Sequence, residues 1–259
     1  MSDKVRYEVT GAVATVTIAR PDVRNAMDME VFEGLLDAGR RAGADPAVRA
    51  VVVAGEGSNF SSGIDTTVFT QGSNGSPSSI DIGKLQSSFT VFEQIAKPTI
   101  AALAGPTFGA GLQLAAACDF RVAADDVQLS VMEVRWGILP DLGGTQRLPR
   151  MIGIARAKEL AMTARRVGGE EALQIGLVNK LVPAGTHLKS ATEWALELAA
   201  GPPLAIAAIK RLVNSAFDVP VTEGLDREAT AQRRILASSD FIEAVTARIE
   251  KREPHFEAR

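Results

Sequence analysis

The chain of 259 residues carries one cysteine, two histidines and a net charge of only −3. Each shortage removes a class of protein. Cys118 cannot close an internal disulfide, and its place on an apolar helical run reads as an inert core thiol rather than a nucleophile. His187 and His255 lie in polar surroundings without metal-ligand spacing, so both are expected at the surface and no metal site is expected. With 28 basic against 31 acidic residues and a pI near 5.6, nothing marks an electrostatic footprint for nucleic acid or an anionic membrane. No apolar run reaches membrane-spanning length, no basic-plus-apolar leader opens the chain, and no internal repeat is visible. A cytoplasmic, reducing location is the expectation.

What is present is enough apolar residue, 46% of the chain, to bury a core as one domain with an appendage. Val5–Val9 and Val13–Ile18 read as strands joined by a tight turn, and Asp28 can cap a helix running to about Ala42 with Val31, Phe32, Leu35, Leu36 and Ala42 on one face. Pro46 breaks the chain ahead of a buried strand at Ala50–Ala54. Residues 71–79, QGSNGSPSS, have the composition of a flexible loop, either a lid or a solvated connector. A helix follows with Leu85, Phe89, Phe92 and Ala96 on one face.

Lys97 to Pro149 is the most informative stretch. Pro98–Leu103 suits a strand buried on both faces, and Gly109 and Gly111 allow a tight turn into the helical run Ala110–Cys118. A helix start exposes N–H groups that can hold an anion or a developing oxyanion, although a glycine pair can equally be a mere packing turn. A dinucleotide fingerprint would need a small residue where Leu114 stands. Two acids, Glu133 and Asp141, follow. Beyond them, Ile154–Thr163 and Glu170–Ile175 read as helices with Gly176 as a cap, and Val178–Val182 as a short strand. Leu188–Ala200, Pro203–Ala216, Val221–Ala237 and Phe241–Arg252 are then helices without strands. Alternating strands and helices followed by helices alone predict a layered α/β core with an α-helical appendage. Lys210, Arg211, Arg233, Arg234, Lys251 and Arg252 read as a solvated face of that appendage.

The blocks Arg24-Asn25-Ala26-Met27, Asn59 to Asp65, Gly109-Ala110-Gly111, Ala117-Cys118-Asp119 and Gly143 to Pro149 together resemble the crotonase family, the enoyl-CoA hydratase and isomerase superfamily. The resemblance implies a crotonase-like layered core, assigned to residues 1–195, and a C-terminal helical trimerisation region, 196–259. That region would build a homotrimer or dimer of trimers and complete the coenzyme A pocket. It implies an acyl-CoA thioester substrate, an oxyanion hole made by the backbone N–H groups of Ile64 and Ala110, and no metal or redox cofactor, coenzyme A being part of the substrate. Arg24, Ala26, Ser62, Gly63, Asp65, Gly109 and Gly111 fall at substrate- or coenzyme A-binding positions, Arg24 being the preferred partner for a phosphate.

Hydratases of the family use two glutamates: the first falls on Gln113 and the second on Glu133. The aspartate of the dienoyl-CoA isomerases falls on Asp141. An amide cannot take a proton at neutral pH, so the pattern favours isomerisation of an enoyl- or dienoyl-CoA in fatty-acid metabolism. Gln113 could still hold a water, which keeps a hydratase of reduced activity as the alternative. A non-catalytic acyl-CoA binding protein is the third reading. The retained acids argue against it.

Overall fold

Short, valine- and alanine-rich strands build the central sheet. The computed structural model describes residues 3–70 and 80–257. Strands β1 (Val5–Thr10), β2 (Val13–Ile18), β3 (Ala50–Gly55), β4 (Thr99–Leu103), β6 (Phe120–Ala124) and β9 (Lys180–Val182) lie in the order β1-β2-β3-β4-β6-β9. Only the β1–β2 hairpin is antiparallel; the other pairings are parallel. A parallel sheet must be covered on both faces. The residues alternate accordingly: Val51, Val53, Ala101 and Leu103 enter one core, and Ala50, Val52, Ile100 and Ala102 enter the other.

Helices α1 (Met29–Ala44), α3 (Ile82–Gln94) and α4 (Ala110–Ala117) cover the first face, and α8 (His187–Ala199) covers the second with Ala191, Ala195 and Ala199. Asp28 caps α1 as its position suggests, accepting the Val31 N–H at 3.0 Å. The α1 stripe packs on α3 through Phe32 and Phe89, whose rings stack at 5.5 Å. Ala96, expected on the α3 face, is exposed instead, because the helix stops at Gln94 and the chain turns towards β4. A second, three-stranded sheet joins β5 (Pro106–Phe108), β7 (Gln128–Ser130) and β8 (Val167–Gly168) beside the first. These strands and β6 were not anticipated. Strands of two or three residues have no periodicity to read, and β6, nearly all buried, shows no alternation; only their neighbours make them strands.

The remaining helices are α2 (Thr67–Thr70), α5 (Gly144–Ile152), α6 (Ile154–Thr163), α7 (Gly169–Gln174), α9 (Pro203–Asn214), α10 (Val221–Leu236) and α11 (Ser239–Glu250). The loop reading of residues 71–79 lies outside the described residues.

One charge of the C-terminal helices is misread from sequence. Lys210 is buried, not solvated: its Nζ lies 2.8 Å from Asp119 Oδ2 and donates to the Phe92 and Lys97 carbonyls at 2.7 and 2.9 Å. Asp119 Oδ2 also accepts from the Thr99 N–H and hydroxyl at 2.8 and 3.0 Å. This knot ties α9 to the start of β4 and the end of α4. His187 is half-buried with its Nδ1 enclosed, contrary to the surface expectation, whereas His255 is exposed. Cys118 is buried as expected, and burial pushes its thiol up to about 12, so it stays protonated and inert. Replacing Lys210 by Met leaves the half-buried Asp119 without its counter-charge. Urea unfolding should register a loss of about 3 kcal/mol, against about 0.5 kcal/mol or less for Arg211→Met on the exposed side of the same helix.

Candidate active site

Three loops leave the C-terminal ends of the parallel strands β2, β3 and β4 and meet at one edge of the sheet. Asn25 stitches the first two together. Its Nδ2 donates to the Glu56 and Asn59 carbonyls at 2.9 and 2.7 Å, while its Oδ1 accepts the Arg20 N–H at 2.9 Å. Arg20 adds an ion pair to Asp65 at 3.0 Å and a hydrogen bond to the Ala26 carbonyl at 2.6 Å. Ser61 links all three, its hydroxyl donating to the Asn25 carbonyl at 2.8 Å and its backbone bridging to Thr107 of β5. Arg20, Asn25 and Ser61 escaped the sequence reading as site residues. Asn25 and Ser61 lie inside the very blocks that carry the family resemblance, which was the available signal.

The two glycines of the site have conformations and clearances that a side chain would spoil. Gly63 has φ of 107°, and a Cβ there would stand 2.9 Å from the Phe108 carbonyl oxygen and 3.7 Å from the Ala110 nitrogen. The Ile64 and Ala110 segments are therefore in direct apposition. Gly109, at φ 50° and ψ −119°, turns the chain from β5 into α4. The Ile64 N–H lies between the two bonds of its bridge to Met27, and the Ala110 N–H opens α4; neither meets an acceptor among the described residues.

Glu133 opens a short 3-10 turn after β7 and is buried. Its Oε1 accepts a hydrogen bond of 2.6 Å from Gln113 Nε2, and Gln113 Oε1 accepts the N–H of Gly144, the first residue of α5, at 2.9 Å. Its Oε2 is buried with no partner. A Cβ on Gly109 would come within 3.3 Å of Glu133 Oε1, so the carboxylate lies directly against the turn that delivers the Ala110 N–H. Burial raises the carboxyl of Glu133 above its usual range, against the lowering effects of its own backbone N–H and of Gln113, and the nearby Asp141 charge raises it further. Asp141 sits half-buried in the loop before α5, its own carboxyl also raised by burial. Glu133 and Asp141 thus face one region, and Gln113 joins them there.

The expected coenzyme A-side residues divide. Gly63, Gly109 and Gly111 form the apposed turns, Gly111 lying so close to Ser61 that a Cβ would stand 2.7 Å from its carbonyl oxygen. Arg24 is exposed beside them in a left-handed conformation, φ 54°, and Ala26 is half-buried. Asp65 is occupied structurally, bonded to Arg20 and to the Thr67 N–H and hydroxyl, and the Ser62 hydroxyl reaches the Val23 carbonyl at 3.4 Å. Two cavities of about 570 and 480 Å³ lie elsewhere, bordered by α9. Neither touches Glu133, and it is the chemistry of the buried carboxylate and the open N–H groups that singles out the site.

A sequence profile of the enoyl-CoA hydratase/isomerase family matches residues 8–259, and the chain belongs to that family. It is 36% identical to the peroxisomal Delta(3,5)-Delta(2,4)-dienoyl-CoA isomerase of Arabidopsis thaliana, over 97% of this chain and 95% of the relative. It is 34% identical to the carnitinyl-CoA dehydratase of Escherichia coli, over the full length of both. The crystal structure of an enoyl-CoA hydratase from Polaromonas superposes with a TM-score of 0.93 at 32% identity, covering 98% of this chain and 99% of the other. The layered α/β architecture is the crotonase fold, and the protein is an acyl-CoA enzyme of this family.

Burial of a charged carboxylate costs stability. Because burial raises Glu133 above its unfolded value, its contribution is most favourable below the ordinary carboxylate range and declines as pH rises through the raised value. Glu133→Gln should therefore match wild type in melting temperature near pH 4 and exceed it at pH 7. Thermal melts at the two pH values check this.

Proposed function

We propose that the protein moves a carbon–carbon double bond within an enoyl- or dienoyl-CoA. The observation that carries this reading is the occupant of position 113: an amide, bonded at both ends, where a hydratase would need the first of its two carboxylates. Glutamine neither gives nor takes a proton at neutral pH, which leaves Glu133 and Asp141 as the proton carriers. In the mechanism, the Ile64 and Ala110 N–H groups bond the thioester oxygen. One such donor is worth about 3 kcal/mol in the transition state of other enzymes. Glu133, through its unbonded Oε2, takes a proton from carbon, and the electron pair left behind spreads over the thioester as an enolate or dienolate. With a conjugated chain, Asp141, whose carboxyl is raised by burial and enters the cycle protonated, supplies a proton at the far carbon, and exchange with solvent then returns Glu133 to the charged and Asp141 to the protonated form. With a 3-enoyl chain, Glu133 returns its own proton at a nearby carbon. No atom is gained or lost in either case.

Hydration is the competing reading, favoured by relatives whose names include a probable enoyl-CoA hydratase of Rhodobacter capsulatus and the carnitinyl-CoA dehydratases. Incubation with 2-enoyl-, 3-enoyl- and 3,5-dienoyl-CoA decides. Double-bond migration without net hydration is expected, and fast hydration without migration overturns the isomerase reading. Acyl-CoA binding without turnover of any of the three would favour the binding protein. Each positioned acid or base contributes about 100- to 10,000-fold, so Asp141→Asn should lose at least the lower figure with dienoyl-CoA while sparing the 3-enoyl reaction. Glu133→Gln should lose both. Dienoyl turnover within a few-fold of wild type in Asp141→Asn would make that residue structural.

We also propose that Arg24 meets a coenzyme A phosphate, and that the C-terminal helices pack into a homotrimer or dimer of trimers. Ile209, Phe217, Val221 and Ile249, from 61% to 78% exposed, support that assembly as more apolar surface than a monomer ordinarily leaves open. Sedimentation should give three or six times the chain mass of 27.3 kDa. A monomer would refute it.

A further inference from the structure

We propose that Gln113 is a positioning residue that selects which oxygen of Glu133 acts and holds that carboxylate in its charged form. The two ends of a glutamine amide are close to equal in shape, so its orientation is decided by partners. Here one partner leaves no choice. The backbone N–H of Gly144 can only donate, so the Gln113 atom 2.9 Å from it must be the carbonyl oxygen. The NH₂ group is then forced towards Glu133, where it lies 2.6 Å from Oε1. Both anchors are buried and sit on helices, Gln113 within α4 and Gly144 at the start of α5. The amide is thus held from both sides by elements that cannot easily move.

Two consequences follow for Glu133. First, its oxygens are no longer equivalent: Oε1 is taken, and Oε2 is the enclosed, unbonded one. Second, among the described residues the one side-chain donor to the carboxylate is the neutral Gln113 amide, and a donor favours the charged form without cancelling the charge. Besides the backbone N–H of Glu133 itself, which acts in the same direction, the side chains around Glu133 leave this task to Gln113; helix α6, which packs on the Glu133 turn, has its Arg156, Lys158 and Glu159 exposed. Helix α4, strand β7 and the Gly63 and Gly109 turns carry no ionisable side chain there, and Asp141, from the loop before α5, brings like charge. On its own turn, the Arg135 guanidinium reaches away to the Ala164 carbonyl at 3.4 Å. A glutamate at position 113 could still accept the Gly144 N–H, but it would face Glu133 with an acceptor or a shared proton in place of a donor. The amide is therefore what lets a buried glutamate begin the reaction as a base.

The substrate half of this inference rests on the reading of Glu133 given above; the clamp does not. The test is therefore made on the free protein. Full-length chain labelled with ¹³C at glutamate carboxyls is titrated by NMR, with the Glu133 signal assigned from its absence in Glu133→Gln. In Gln113→Met, of similar volume but without a donor, the Glu133 midpoint should rise by about one pH unit. Gln113→Glu keeps the acceptor for Gly144 and should raise it at least as far, which separates loss of the donor from loss of the α5 anchor. It also serves if the Met variant fails to fold. The acid limb of the kcat/KM profile, which reports the free enzyme, should move in the same direction. A Glu133 midpoint within about 0.3 pH units of wild type in a folded variant overturns the proposal. If the midpoint moves as expected but wild type turns over no enoyl-CoA, the functional reading fails and the clamp stands.

Discussion

A carboxylate buried beside a neutral side-chain donor is the constraint around which this site is built. Glu133 gives up hydration to lie against the Gly109 turn, and the hydrogen bonds from Gln113 and from its own backbone N–H offset only part of that loss. The same amide reaches the first N–H of α5, so one side chain ties α4, the Glu133 turn and α5 together. Gly109 and Gly144 have no side chains where this convergence is tightest: a Cβ on Gly144 would stand 2.9 Å from Gln113 Oε1. Stability is surrendered here, and the surrounding core supplies it.

The sheet topology explains why the site lies where it does. In a parallel run, the C-terminal ends of successive strands open on the same edge, and ligands bind in the crevice outside them. β2, β3 and β4 end at Ile18, Gly55 and Leu103, and the chain that follows each brings Asn25, Gly63 and Gly109 to that edge. Asn25 then does locally what the sheet cannot, pinning its own loop to the one after β3 by pairing that loop's half-buried Glu56 and Asn59 carbonyls. The Arg20–Asp65 pair and the Lys210–Asp119 knot repeat this device farther out, each joining segments distant in the chain through partly or wholly buried charge.

Periodicity and punctuation along the chain are enough to define the long elements. The β1–β2 hairpin, α1 with its Asp28 cap, β3, β4 and the C-terminal helices are legible because alternating or helical runs of apolar residues admit one burial each. The glycine turns and the family blocks locate the site, and position 113 is visible as an amide in place of an acid. Those are properties of residues and their spacing along the chain. What the tertiary structure alone decided is how groups far apart in sequence meet: that Gln113 bonds both Glu133 and Gly144, that Glu133 keeps one free oxygen, that Lys210 is buried on Asp119, and that strands of two or three residues complete a second sheet. Hydrogen bonds and desolvation act through space, and neither leaves a period in the sequence.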